Sequence, residues 1–157
     1  MIFVTRAIPV NEPGEPRLTR QDVWAGLVRK ANNALPFVPV ISDCEVVEQY
    51  DDCTFDRDVS VRGDQFRERI TLEAPHRVVF TRLSGPVLGT IANEIEGDDD
   101  NLQLRFSFAL IVAGAEGGSS EEKTFSETMT GDYLNAVSTT LTALRKAAAD
   151  TESLENV

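Results

Sequence analysis

Phe55-Asp56-Arg57-Asp58-Val59-Ser60-Val61-Arg62-Gly63-Asp64-Gln65-Phe66-Arg67-Glu68-Arg69-Ile70-Thr71-Leu72, residues 55–72, is the stretch that decides the fold. On either side of Gly63-Asp64, every second residue belongs to one set. Phe55, Val59 and Val61 precede the turn, Phe66, Ile70 and Leu72 follow it, and Asp56, Asp58, Gln65, Arg67 and Arg69 fall between them. A period of two with turn residues at the centre predicts an antiparallel hairpin with one dry and one wet face.

The same texture extends from about Ser42 to Val112. Segments of about 8 to 12 residues are separated by Asp51-Asp52, Gly63-Asp64, Ala74-Pro75, Ser84-Gly85-Pro86 and Gly97-Asp98-Asp99-Asp100, which predicts a six-strand meander. Taking Gly63-Asp64 and Ala74-Pro75 as two-residue turns sets Arg57 diagonal to Glu68 and sets Glu68 opposite Thr81. All four later loops then choose one inner face. It carries Phe55, Val59, Val61, Phe66, Ile70, Leu72, Val79, Leu83, Val87, Ile91, Ile95, Leu102, Leu104, Phe106, Phe108 and Leu110. The predicted wet face holds Asp56, Asp58, Gln65, Arg67, Arg69, Arg82, Glu94, Glu96, Gln103 and Arg105.

Upstream, the β-branched run Ile2 to Val10 predicts a first strand, stopped by Asn11-Glu12-Pro13-Gly14. Thr19 with Asp22 three residues on is a helix start, and Val23, Trp24, Leu27, Val28 and Ala31 give that helix one apolar stripe. Asn32-Asn33, Pro36 and Pro39 predict a short kinked link after it. Downstream, Ser119 and Glu122 open a long helix whose stripe is Phe125, Met129, Tyr133, Val137, Leu141 and Leu144. Its expected length of about 29 residues spans ~43 Å, with Arg145 and Lys146 near its negative end and a frayed tail over 151–157. A one-sided sheet needs a cover, and this helix is the only long apolar surface left. The expected architecture is therefore α+β: about seven strands, the first followed by a six-strand meander, curved strongly around a long C-terminal helix. A short helical segment lies between strands 1 and 2, and residues 1–157 form one domain. Gly89 on the inner face and Gly131 in the helix either leave space between the two layers or merely relieve crowding or permit a bend.

Composition narrows the function. The chain has 157 residues, 41% of them hydrophobic, enough to bury roughly 70% of its unfolded surface. Its 26 acidic against 15 basic residues give a net charge of -11, which argues against nucleic acid and anionic membrane as partners. No apolar run approaches the ~20 residues that span a bilayer, so no membrane insertion is expected. Two cysteines and an N-terminus without signal-peptide order point to the cytoplasm.

The inner face is apolar except for Arg57, Glu68, Arg77, Thr81 and Asn93. A mid-strand carboxylate such as Glu68 either meets a partner, with Arg57 in reach, or is neutralised and becomes a general acid. Thr81 and Asn93 offer hydrogen bonds to a bound molecule, and Tyr133 offers a hydroxyl from the helix, though a packing role is the commoner one. His76 is the only histidine and belongs to a hairpin tip. Cys44 and Cys53 read as small core thiols. Asp98-Asp99-Asp100 lacks the later ligands of a calcium loop, and no phosphate cradle follows a strand. Neither a metal nor a cofactor is expected.

The element order resembles the helix-grip fold of the START and birch-pollen-allergen (SRPBCC) superfamily, over nearly the whole chain. Leu18 to Leu27, Leu35 to Pro39, Arg62 to Arg69 with Pro75 to Phe80, and Leu102 to Leu110 are similar to its AtaL-like branch. The resemblance implies an internal pocket for lipids, polyketides or other apolar molecules, in proteins that carry ligands or act as aromatases, cyclases or dehydratases. The leading expectation is binding of a small hydrophobic or aromatic molecule by Arg57, Glu68, Arg77, Thr81, Ile91, Asn93, Leu104, Phe106, Phe108, Met129 and Tyr133. The alternative is a polyketide cyclase or dehydratase that uses Glu68 and Arg57 in the same cavity. A protein-interaction module is a third class, disfavoured by the clean alternation of faces. The homo-oligomeric state, a homodimer included, is left open.

Overall fold

A computed structural model describes residues 1–155. Strand β1 (Ile2–Pro9) leads to helix α1 (Arg20–Asn32). Strands β2 (Ile41–Asp51), β3 (Thr54–Val61), β4 (Asp64–Glu73), β5 (Arg77–Ser84), β6 (Val87–Glu96) and β7 (Gln103–Val112) follow, and then helix α2 (Ser120–Glu155). The strands form one antiparallel curved sheet in the order β1-β7-β6-β5-β4-β3-β2, the expected meander with the first strand added to the last. Irregularities of register within β2 and at Arg67/Glu68 of β4 add local bends, as extra residues on one strand do.

Thr19 caps α1 as its sequence predicts. Its hydroxyl accepts from the Asp22 N–H, and the Asp22 carboxylate accepts from the Thr19 N–H. Beyond α1 the expected short kinked link is made of two hydrogen-bonded turns, Ala34–Val38 and Val38–Ile41. Helix α2 continues to Glu155, past the point where fraying was expected to begin; residues 156 and 157 of that expectation lie outside the described residues. Arg145 is accordingly not in the last turn. Its guanidinium donates to the carbonyl of Val10 and ties α2 to the end of β1.

The core lies between the sheet and the two helices. Phe55, Val59, Phe66, Ile70, Ile91, Ile95, Leu104, Phe106, Phe108 and Leu110 meet Met129, Val137, Leu141 and Leu144 of α2, with Trp24 and Leu27 of α1 closing one end. Burying one such side chain contributes ~1.5–3 kcal/mol, so the continuous inner face is what holds sheet and helix together. Tyr133 stacks on the sheet, its ring 5.9 Å from Phe106 and 5.3 Å from Phe108.

Register differs from the expectation in an instructive way. The β3–β4 hairpin turns on Arg62-Gly63, both at positive φ (50° and 87°), a pairing in which the backbone twist matches the strands. Val59 then lies opposite Phe66, and Arg57 directly opposite Glu68 rather than diagonal to it. That shift of two residues keeps every side chain on its expected face. The next loop holds three residues, 74–76, between the paired Glu73 and Arg77. A shift of one residue follows, and it turns β5 over. Val78, Phe80 and Arg82 face inward, whereas Arg77, Val79, Thr81 and Leu83 do not. At the next loop the pairing is again one residue off, with Phe80 opposite Ile91, and the two slips cancel. The inner residues of β6 and β7 are therefore those expected.

Other expectations need correction. Asp56 is on the outer face but buried, because Arg69 donates to both its oxygens and Tyr50 covers it with a further hydrogen bond. Those bonds from Arg69, with one from Tyr50, hold its carboxyl below the usual range. Cys44 is half-buried and Cys53 exposed, so Cys53 is no core thiol. Gly131 is exposed, with open space where a side chain would stand, and vacates nothing inside. Gly89 serves the bend rather than the space. Its φ of +132° and a carbonyl of Ala109 only 2.1 Å from where a Cβ would be make it a backbone requirement of the bent strand.

Candidate functional site

Five polar side chains converge on the inner face, each from a different element. Lys30 stands on the last turn of α1, Arg57 on β3, Glu68 on β4, Arg82 on β5 and Asn93 on β6. They are 6%, 3%, 3%, 7% and 2% exposed, so water does not solvate them in bulk. Arg57 reaches one carboxylate oxygen of Glu68 through Nε at 3.0 Å and Nη2 at 2.9 Å, and Arg82 Nε reaches the other at 3.3 Å. Nη1 of Arg57 also donates to the carbonyls of Lys30 and Ala31, at 3.1 and 2.9 Å. Those carbonyls end α1 and have no helical partner, so one guanidinium fastens the helix to the sheet. Lys30 Nζ donates to Oδ1 of Asn93 at 2.7 Å.

Aromatic faces support the cations. Arg82 lies 4.0 Å over the ring of Phe66, Arg57 5.1 Å and Lys30 5.8 Å from that of Phe80. Such contacts gain strength where water is excluded. Burial, and then the neighbouring charge of Arg57, push the Lys30 ammonium down to about 8, against a smaller opposing pull from Glu68. Burial also pushes the Tyr133 phenol up to about 12.

Beside this cluster lies a cavity of about 110 Å³, walled by Phe66, Phe80, Val87 and Ile91 of the sheet and by Phe125, Met129, Tyr133 and Ala136 of α2. One water needs only ~10–15 Å³ by such a measure, so a small ring system has room. Its outer end lies between residues 38–41, the tip of the β3–β4 hairpin and α2. There Arg62 and Asp132 join hairpin to helix through two hydrogen bonds of 3.0 and 2.6 Å.

Of the residues expected to bind a ligand, Arg57, Glu68, Ile91, Asn93, Met129 and Tyr133 line this cavity. Leu104, Phe106 and Phe108 face inward but are packed in the core beyond it. Arg77 and Thr81 are displaced to the outer face by the three-residue loop; Arg77 pairs there with Glu73 and Glu94. Glu68 is no unpaired acid, since both its oxygens accept from guanidinium groups. Sequence reasoning missed Lys30 and Arg82. Parity counted through a correct three-residue loop would have found Arg82. Lys30 is a polar residue adjoining the α1 apolar stripe, one position before Ala31, and that position was its only signal. His76 is exposed at its hairpin tip as expected. Among the described residues no group of three His, Cys, Asp or Glu side chains is placed to hold a metal ion, and no helix is long and apolar enough to cross a membrane.

A curved antiparallel sheet gripping one long helix, with a polar-ended cavity between them, defines a START-like helix-grip protein. Residues 4–151 match the family described as AtaL, acetylaranotin biosynthesis cluster protein L, and the chain belongs to that family. No curated protein matches it significantly. Solved structures share the fold at low identity. XoxI from Bacillus cereus is 18% identical with a TM-score of 0.66, over 97% of this chain and 99% of that one. A START superfamily protein from Mycobacterium smegmatis is 14% identical with a TM-score of 0.66, over 92% and 97%. The Zhui aromatase/cyclase from Streptomyces sp. R1128 is 17% identical with a TM-score of 0.64, over 94% and 93%.

Proposed function

We propose that the protein binds a small hydrophobic or aromatic molecule between its sheet and α2. The observation that carries this reading is the cavity itself: mostly apolar walls, buried convergent polar groups at the inner end and an ion pair at the outer one, the usual make-up of a ligand pocket. Titration with the neutral fluorophore N-phenyl-1-naphthylamine tests it. Saturable binding is expected, and it should disappear in Ile91→Trp, whose indole occupies the space, while circular dichroism confirms that the variant is folded. Fluorescence that never saturates, or that is indifferent to the filled cavity, overturns the reading.

A polyketide cyclase or dehydratase acting in the same cavity is the second reading. It is favoured by the aromatase/cyclase likeness and by Arg57 and Arg82, buried cations beside a space where an enolate oxygen could be stabilised. Arg57 and Glu68, held together, would supply the charge and its orientation in such a reaction. Loss of turnover in Arg82→Met, with retained ligand binding, separates catalysis from carriage.

A further inference from the structure

We propose that the occupant of the cavity is a carboxylic acid, with its carboxylate on Lys30 and the amide nitrogen of Asn93 and its apolar body along Phe66, Ile91 and Tyr133. This rests on the reading of the cavity as a ligand pocket and adds the charge of the ligand.

The buried cluster holds unspent bonding capacity. Every strong acceptor in the cluster is in use: Glu68 Oε1 by Arg57, Glu68 Oε2 by Arg82, and Asn93 Oδ1 by Lys30. What remains are donors. Asn93 Nδ2 is fully buried and has no hydrogen-bond partner. Lys30 commits one of its three N–H groups to a side chain, the amide oxygen of the same Asn93. A buried donor without an acceptor costs ~1–3 kcal/mol, so an oxygen-bearing occupant relieves a real penalty.

Charge points the same way. Three cations, Lys30, Arg57 and Arg82, face the single carboxylate of Glu68 inside a chain whose net charge is -11. This cluster is therefore positive against the trend of the whole molecule. A monoanion held by the Lys30 ammonium removes part of that excess through a charge-assisted hydrogen bond. A neutral apolar molecule would satisfy none of these groups.

Lys30 makes the binding pH-dependent. The groups around it are Arg57 of β3 with Cys44 of β2 beside that guanidinium, Glu68 of β4 and Asn93 of β6. With its ammonium held near 8, Lys30 loses its proton, and its pull on an anion, between neutral and mildly alkaline pH.

Isothermal titration calorimetry of two matched pairs tests the proposal: 2-naphthoate against 2-naphthamide, and dodecanoate against dodecanol. At pH 7 the acid should bind at least tenfold more tightly than its neutral partner. Raising the pH to 9.5 should weaken the acid several-fold and leave the neutral compound unchanged. Lys30→Met should lower affinity for the acid about tenfold, keep that for the neutral compound within twofold, and abolish the pH effect. Should Lys30→Met fail to fold, the acid-to-neutral ratio of the wild-type protein and its pH dependence decide the matter. Neutral compounds binding as well as the acids would overturn the anion assignment and leave the apolar pocket standing. Failure of all four compounds and of N-phenyl-1-naphthylamine overturns both.

Discussion

Glu68→Gln changes one oxygen to an NH₂ group and removes the only negative charge among the five buried polar side chains. In the native site Oε1 accepts from Arg57 at 2.9–3.0 Å and Oε2 from Arg82 at 3.3 Å. The amide keeps one acceptor, while its new N–H groups must face one of the two guanidiniums. At least one charge-assisted hydrogen bond is lost, and three cations are left without a counter-ion. Removing one partner of a buried ion pair costs ~3–5 kcal/mol. With a slope of ~2 kcal/mol/M for urea, the midpoint should fall by ~2 M. Arg57 also holds the last carbonyls of α1, so helical signal should be lost together with the sheet. Adding Lys30→Met removes one stranded charge and should return at least ~1 kcal/mol, a coupling visible in a double-mutant cycle. A midpoint within 0.5 M (about a quarter of the expected shift) of wild type in Glu68→Gln would refute the counter-ion role derived from these distances.

Three further outcomes follow from the same structure. Lys30 holds its proton less tightly when folded, near 8 against 10.5 when exposed, so the unfolded chain binds more protons between those values and folding stability contributed by this group rises with pH. Lys30→Met lacks this dependence, and the wild-type protein should gain on it by roughly 2–3 kcal/mol between pH 7.5 and 10.5 in urea titrations; a constant difference would contradict the burial of the ammonium. Gly131→Ala fills open space on the exposed face of α2 and should raise stability by ~1 kcal/mol, read as a Tm increase of about 2–4 °C. Gly89→Ala forces a methyl group against the Ala109 carbonyl at a backbone angle that alanine avoids, and its Tm should fall well below wild type; a neutral result would mean that β6 can straighten.

Much of the fold is local information, and local information is what a sequence carries. Thr19 and Asp22 need only each other to start a helix. The alternation of Phe55, Val59 and Val61 with Asp56 and Asp58 assigns faces without reference to any other strand, because strand side chains have a period of two. The stripe of α2 and the absence of any other cover for the sheet then imply the grip of sheet on helix. Arg57, Glu68 and Asn93 were legible as polar interruptions of a dry face for the same reason.

Loop length is not local in this sense. Ala74-Pro75 reads as a two-residue turn, yet the chain uses three residues there, and that one residue exchanges Arg82 for Thr81 on the inner wall. The position of Lys30 depends on where α1 meets the sheet, and whether Arg57 stands directly opposite Glu68 or diagonal to it depends on hairpin register. Charge inside a cavity is a sum over groups far apart in the chain, from Lys30 to Asn93. Only tertiary structure performs that sum, because the low polarity that makes these charges interact strongly exists only once the sheet has closed around the helix.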